Sequence, residues 1–183
     1  MKKRVASLAI ILLIMLFSGE AFARAVMEKI EVGSPAFAEG DKIPSDFTCD
    51  GANMSPPIEW SGVPANTQSL AVIVDDPDAP AGDWVHWLVY DLPPSLTQLA
   101  ARIPEGARLS EGGLQGLTDF WKTGYGGPCP PRGTHRYFFK VYALDAMLRL
   151  KPGATKKELL GAMQGHVLAE GRLIGTYERR RLR

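Results

Sequence analysis

The chain has 183 residues, 45% of them hydrophobic and 22% charged, with a formal net charge of +1. That size and balance suit one globular domain with a proper core and exclude a collagen-like, low-complexity or disordered chain. Four basic residues crowd the C-terminus as Arg179, Arg180, Arg181 and Arg183, so the body of the chain is acidic, which speaks against nucleic acid as a partner.

The first 23 residues read as a secretory signal peptide. Lys2, Lys3 and Arg4 form a positive start, and Val5 to Phe17 form an apolar run of about 13 residues, short for a membrane span. Ala21-Phe22-Ala23 supplies the small-x-small pattern of a peptidase site, so cleavage is expected after Ala23 and the mature chain is expected to be periplasmic or secreted. Without Lys2, Lys3, Arg4 and Glu20, 18 basic and 19 acidic residues remain, a net charge of −1. Residues 24–183 are expected to be a single domain ending in the basic tail 179–183, a solvated terminus.

Along that domain, Pro and Gly are spread between short apolar segments, the mark of an all-β domain with many turns. Met27 to Val32 alternates as a first strand, and Ile58 to Trp60 is a short second one before the Ser61-Gly62-Val63-Pro64 turn. Leu70 to Val74 is apolar at every position, which predicts a central strand covered on both faces. Trp84 to Asp91 and His135 to Ala143 are the next long strands. Pro104 to Gly133 between them is dense in Gly and Pro, a loop long enough to point to function. One helix is predicted, capped by Thr155 with Glu158 as its capping-box partner, carrying Leu159, Leu160 and Met163 on its apolar face and ending at Gly165. Val167 to Tyr177 resumes strand alternation, with Gly171 and Gly175 permitting bends or bulges. These elements make a mainly β sandwich with one or two short helices.

Strand phase brings polar residues together. Trp84 and His86 share one face of their strand, as do His135 and Tyr137 of theirs. Asp76 ends the apolar strand where Pro77 breaks the ladder, so Asp76-Pro77-Asp78-Ala79-Pro80 is a stiff acidic turn beside which a pocket can form. Asp78 is expected to shape that turn by bonding backbone N–H groups. Gly126 and Gly127, ahead of Pro128, and Gly133 offer bare backbone N–H groups for an anion. Trp60 and Trp87 are assigned to packing.

The order of these pieces carries a resemblance. DPDAP at Asp76 to Pro80, W-x-H-W from Trp84 to Trp87 and GPCPPRGTHRY from Gly127 to Tyr137 together resemble the phosphatidylethanolamine-binding protein family, in its bacterial Raf-kinase-inhibitor-like branch. Further matches are Cys49 to Pro56 before Trp60, and Gly165 to Ala169. The resemblance runs from about Glu31 to Tyr177 and implies a Greek-key β-sandwich of antiparallel sheets. It also implies a surface pocket for phosphate, a phosphorylethanolamine-like head group or a similar small anion. The implied pocket positions are Asp76, Pro80, Trp84, His86, Gly127, Pro128, His135 and Tyr137. In this picture His86 and His135 donate to phosphate oxygens once protonated, Asp76 orients an imidazole, Tyr137 adds a hydroxyl, and Trp84 and Pro80 form an apolar wall.

Cys49 and Cys129 are the only cysteines. In an oxidising compartment a single disulfide is expected, with a reactive Cys129 thiol as the alternative. No nucleophile elbow, metal-ligand spacing or cofactor motif appears, so a binding or inhibitory module without cofactor or metal is expected ahead of an enzyme. Two other classes stay in play: a small-ester or phosphoester hydrolase using Asp76 with His86, and a protein-interaction or protease-inhibitor module. Exposed sheet edges leave room for a homodimer.

Overall fold

A computed structural model describes residues 28–179. The expected signal peptide and residues 180–183 of the basic tail lie outside the described residues.

Among the described residues, nine strands form two sheets, joined by a short 3₁₀ helix (Ser45–Phe47) and one α-helix: β1 (Glu28–Lys29), β2 (Glu31–Gly33), β3 (Ile58–Ser61), β4 (Ser69–Asp76), β5 (Trp84–Leu92), β6 (Gln98–Leu99), β7 (Leu114–Gln115), β8 (His135–Leu144), α1 (Lys156–Met163) and β9 (Val167–Tyr177). The larger sheet runs β1-β9-β8-β4-β5-β7 and the smaller β2-β3-β6. All pairings are antiparallel except the two-residue contact of β1 with β9, which is parallel.

The apolar run in β4 does what its pattern predicts. Every residue of the strand is buried. Leu70, Val72 and Val74 face the core between the sheets, with Trp60, Trp87 and Phe139. Ala71 and Ile73 face the opposite side, with Leu159 and Met163 of α1. Each of the Leu, Val and Ile side chains, fully buried, contributes about 1.5–3 kcal/mol, so this strand anchors both layers. Trp60 and Trp87 pack as expected, their indole N–H groups donating to Leu96 O (2.8 Å) and Gln115 Oε1 (2.7 Å). The predicted capping box is present: Thr155 Oγ1 accepts from Glu158 N, and Glu158 Oε2 accepts from Thr155 N at 2.8 Å. Leu160 departs from the expected apolar face. It is 44% exposed, because only Leu159 and Met163, four residues apart, share the stripe that meets the sheet.

The predicted strand from Met27 to Val32 is instead two short strands in different sheets, Met27 itself lying outside the described residues. Ile30, wholly buried between them, sends its side chain into the inter-sheet core, and its N–H donates to Glu170 O at 3.0 Å. The chain thus crosses β9 there, and Gly171 makes room for it: a Cβ at this position would sit 1.9 Å from Ile30 O. Gly175 likewise leaves space for Ile43 and Phe37. The bulges that these glycines would permit do not occur there. β9 pairs with β8 in unbroken register from Ala169 to Tyr177, so both glycines serve close approach.

Candidate functional site

Asp75 and Asp76 end β4, and alternation sends their carboxylates to opposite faces. Asp75, fully buried, accepts from Lys140 Nζ at 2.7 Å and Lys156 Nζ at 2.6 Å on the helix side. Asp76 turns the other way, to the end of the inter-sheet layer. Its Oδ1 accepts from Asp78 N at 2.8 Å, an Asx turn that sets the Pro77 corner. Its Oδ2 accepts from His135 Nδ1 at 2.7 Å, with both side chains buried. Asp78 reaches across to β8, where its Oδ2 accepts from the backbone N–H and Nε of Arg136 and its Oδ1 from Nη2. The Arg136 guanidinium holds the Asp78 carboxyl down at about 2. The turn is therefore tied twice to the strand that carries His135 and Tyr137.

A β-bulge in β5 places His86. Asp75 pairs with Val85 and Val74 with Trp87, so His86 is the extra residue in the ladder. Strict alternation would bury Trp87 on the helix side. The bulge resets the phase, and Trp87 enters the inter-sheet core while His86 stays beside the cavity. His86 Nδ1 donates to Gly126 O at 2.5 Å, and Gly126 N returns a bond to His86 O at 2.9 Å. Burial pushes the His86 pKa below its ordinary value, against the opposing pull of the Gly126 carbonyl and the Asp76 charge.

Six of the eight expected pocket residues line one cavity of about 250 Å³: Asp76, Pro80, Trp84, His86, His135 and Tyr137. The volume is below the ~300–1,000 Å³ of drug-sized sites and suits a small group. Gly127 and Pro128 are not part of its wall. The Gly127 N–H is taken by Asn53 Oδ1 at 2.8 Å, and Pro128 O accepts from Cys49 N at 3.1 Å. The expectation that the backbone N–H groups of this glycine stretch face an anion is corrected for Gly126 and Gly127, since both are already bonded. The pairing of Asp76 with His86 is corrected too: the carboxylate engages His135, and a backbone carbonyl engages His86.

Among the described residues, no protein group hydrogen-bonds Nε2 of either ring. Tyr137, 1% exposed, has a buried hydroxyl beside the Asp76 carboxylate. Burial, then the Asp76 charge and hydrogen bonding to it, push its pKa up, so the phenol stays protonated. His86 lies edge-on to Tyr137 at 5.1 Å between ring centroids.

Phe120 is a wall residue that sequence reasoning missed. It packs edge-on to Trp84 (5.6 Å) and His86 (5.2 Å), and a Cβ on Gly126 would meet its ring at 2.4 Å. Its neighbour Asp119 fixes it, accepting from Val85 N at 2.7 Å. The only signal was its place in the long loop from Pro104 to Gly133. That loop is braced by Gln115, whose Nε2 donates to the carbonyls of Pro104 and Gly106. The opposite wall includes Cys129, Pro130 and Pro131. Cys129 is bonded to Cys49, as expected, with 5.4 Å between Cα atoms.

A sequence profile described as phosphatidylethanolamine-binding protein matches residues 33–178. The chain belongs to the phosphatidylethanolamine-binding protein family. Its relatives include archaeal and bacterial members. A UPF0098 protein of Methanothermobacter thermautotrophicus is 54% identical over 144 residues, covering 79% of this chain and 95% of its own. A structure of the family homologue CT736 from Chlamydia trachomatis superposes with a TM-score of 0.76 at 43% identity. YbcL of E. coli, described as a member of the mammalian family, gives 0.76 at 33%. Each covers 83% of this chain and 99% of its own. The antiparallel β architecture expected of a family member is the one observed.

The low His86 pKa has a consequence for stability. Unfolded, the ring takes up a proton as pH falls through its ordinary value of 6.5; folded, it resists until a lower pH. Its contribution is therefore complete above pH 6.5 and is lost as pH falls from there toward the folded value. Without added anion, unfolding free energy should drop below pH 6.5 with a slope bounded by about 1.4 kcal/mol per pH unit for one proton. Urea melts of His86→Gln should show a flatter profile in that window. Parallel profiles for the two proteins would refute the assignment.

Proposed function

We propose that this chain is an exported family member that binds a small anion, phosphate or a phosphorylethanolamine-like head group, in the cavity between Asp76 and Tyr137. The observation that carries the reading is the convergence of His86, His135 and Tyr137 on one small cavity, with Nδ1 of His86 held by the Gly126 carbonyl and Nδ1 of His135 by the Asp76 carboxylate. These polar side chains are set among Pro80, Trp84 and Phe120. Export is supported by the three-part leader and by a disulfide that suits an oxidising compartment.

Amide and side-chain NMR spectra, recorded as phosphate or phosphorylethanolamine is added, test the site. Saturable shifts should centre on His86, Gly126, His135, Tyr137 and the Trp84 indole. No saturable shift, or shifts centred elsewhere, would overturn the reading.

A further inference from the structure

The turn after Asp119 holds a bulky residue where the backbone favours glycine. Trp121 has φ 61°, in the left-handed region, a genuine outlier for a large side chain. It is also 86% exposed, so packing does not offset the strain. The turn is nonetheless fixed. Trp121 N donates to Thr118 O, and Thr118 N and Oγ1 both donate to Lys122 O, each at 3.0 Å. Asp119 is bonded to Val85, at the start of β5, through both its backbone N–H and its carboxylate. Lys122 is paired with Glu105. A rigid turn that presents a strained, solvent-facing indole serves a contact outside the fold.

Strand register shows what shares that end of the sandwich. Asp76 pairs with Trp84 where β4 stops and β5 starts, and His135 pairs with Tyr177 where β8 starts and β9 stops. Phe120 packs on Trp84, so its neighbour Trp121 stands at this end too. β9 lies three strands from β5, so at about 4.8 Å per step the chain leaves β9 about 15 Å from Trp84. From there the sequence runs Glu178-Arg179-Arg180-Arg181-Leu182-Arg183, four arginines against one glutamate. The other carboxylates of this end are engaged: Asp78 by Arg136, Asp83 by Lys156, Glu105 by Lys122 and Asp50 by Arg179. An indole settles at the head-group level of a bilayer, and a run of arginines is drawn to a negative one. Either signal alone is weak, and two together hold a protein on a membrane. We propose that this end of the sandwich docks on an anionic phospholipid surface, with Trp121 entering the head-group layer and the arginines of 179–183 meeting its charge. The proposal goes beyond the anion-binding reading and does not need the cavity to be filled.

Residues 24–183, which contain the whole described fold, are co-sedimented with vesicles of phosphatidylcholine alone and of an equal mixture with phosphatidylglycerol. The mixed vesicles should bind far more protein, and added salt should weaken that binding. Glycine suits the backbone at this turn, so Trp121→Gly should melt at a higher temperature than the parent. It should nevertheless bind the mixed vesicles about tenfold more weakly. Deleting residues 180–183 should also weaken binding about tenfold and remove most of its salt dependence. Indole emission should shift to the blue when the parent binds, and the shift should be largely lost in Trp121→Gly. Parent-like binding by either variant, or equal binding to both kinds of vesicle, would overturn the proposal. So would a lower melting temperature for Trp121→Gly, which would make the indole a part of the fold. No binding to either vesicle would overturn it as well and leave Trp121 to a protein partner.

Discussion

Replacing both cysteines, Cys49→Ser with Cys129→Ser, should cost the protein about 4 kcal/mol of unfolding free energy, the chain-entropy value for a loop of this size. The bridge spans 80 residues of sequence, the longest-range covalent restraint available to the fold. It ties the turn after Phe47 to the segment that supplies Pro130 and Pro131 to the cavity. Few other contacts secure this wall: Cys49 N donates to Pro128 O, and Asn53 holds Gly127. The same variant should therefore bind phosphate more weakly even at temperatures where it is folded. Urea denaturation with and without reductant measures the first effect and calorimetry the second. A double variant within about 1 kcal/mol of the parent would contradict the stabilising role given to the bridge.

Asp76→Asn is expected to weaken phosphate binding about tenfold, an effect of about 1.4 kcal/mol, although it removes a negative charge from an anion site. The carboxylate uses one oxygen for Asp78 N and the other for His135 Nδ1. Asparagine has a single side-chain oxygen, so its NH₂ must face one of these two donors. Either the turn loosens or His135 loses its fixed orientation, and the cavity suffers both ways. Simple electrostatics predicts the opposite sign, since losing a like charge should favour the anion. Tighter phosphate binding by Asp76→Asn would show that Asp76 acts by repulsion and does not position His135.

Much of this site was legible in the sequence because strand phase is a local property. Trp84 with His86, and His135 with Tyr137, each lie two residues apart, and the pleat alone places each pair on one face. The terminus of β4 was legible from Pro77, which cannot extend the ladder. The capping box likewise followed from residue type and spacing, whereas the bridge was expected from two cysteines in a chain read as exported. Less local features were hidden. The bulge that gives both His86 and Trp87 the same face depends on pairing with β4, which no single strand reveals. β5 and β8 both flank β4, and the choice of His135 over His86 as the Asp76 partner goes with the Gly126 carbonyl taking His86 Nδ1. Gly127 and Pro128 carry family-like residues, yet their backbone groups are used by Asn53 and Cys49, contacts more than seventy residues apart in sequence. Phe120 had no periodicity to mark it, because it stands in a loop held by Asp119 and Gln115. The crossing of β9 by Ile30 was invisible for the same reason: only the tertiary approach explains Gly171.

The central claim is that the cavity holds an anion through groups whose protonation matters. Its most direct test is the affinity for phosphate measured by calorimetry between pH 5 and pH 8. Burial holds the His86 pKa below its ordinary value, and an anion beside the ring favours its protonated form, so binding is coupled to proton uptake. Affinity for total phosphate should therefore strengthen steadily as pH falls across this range. A flat profile would contradict the account.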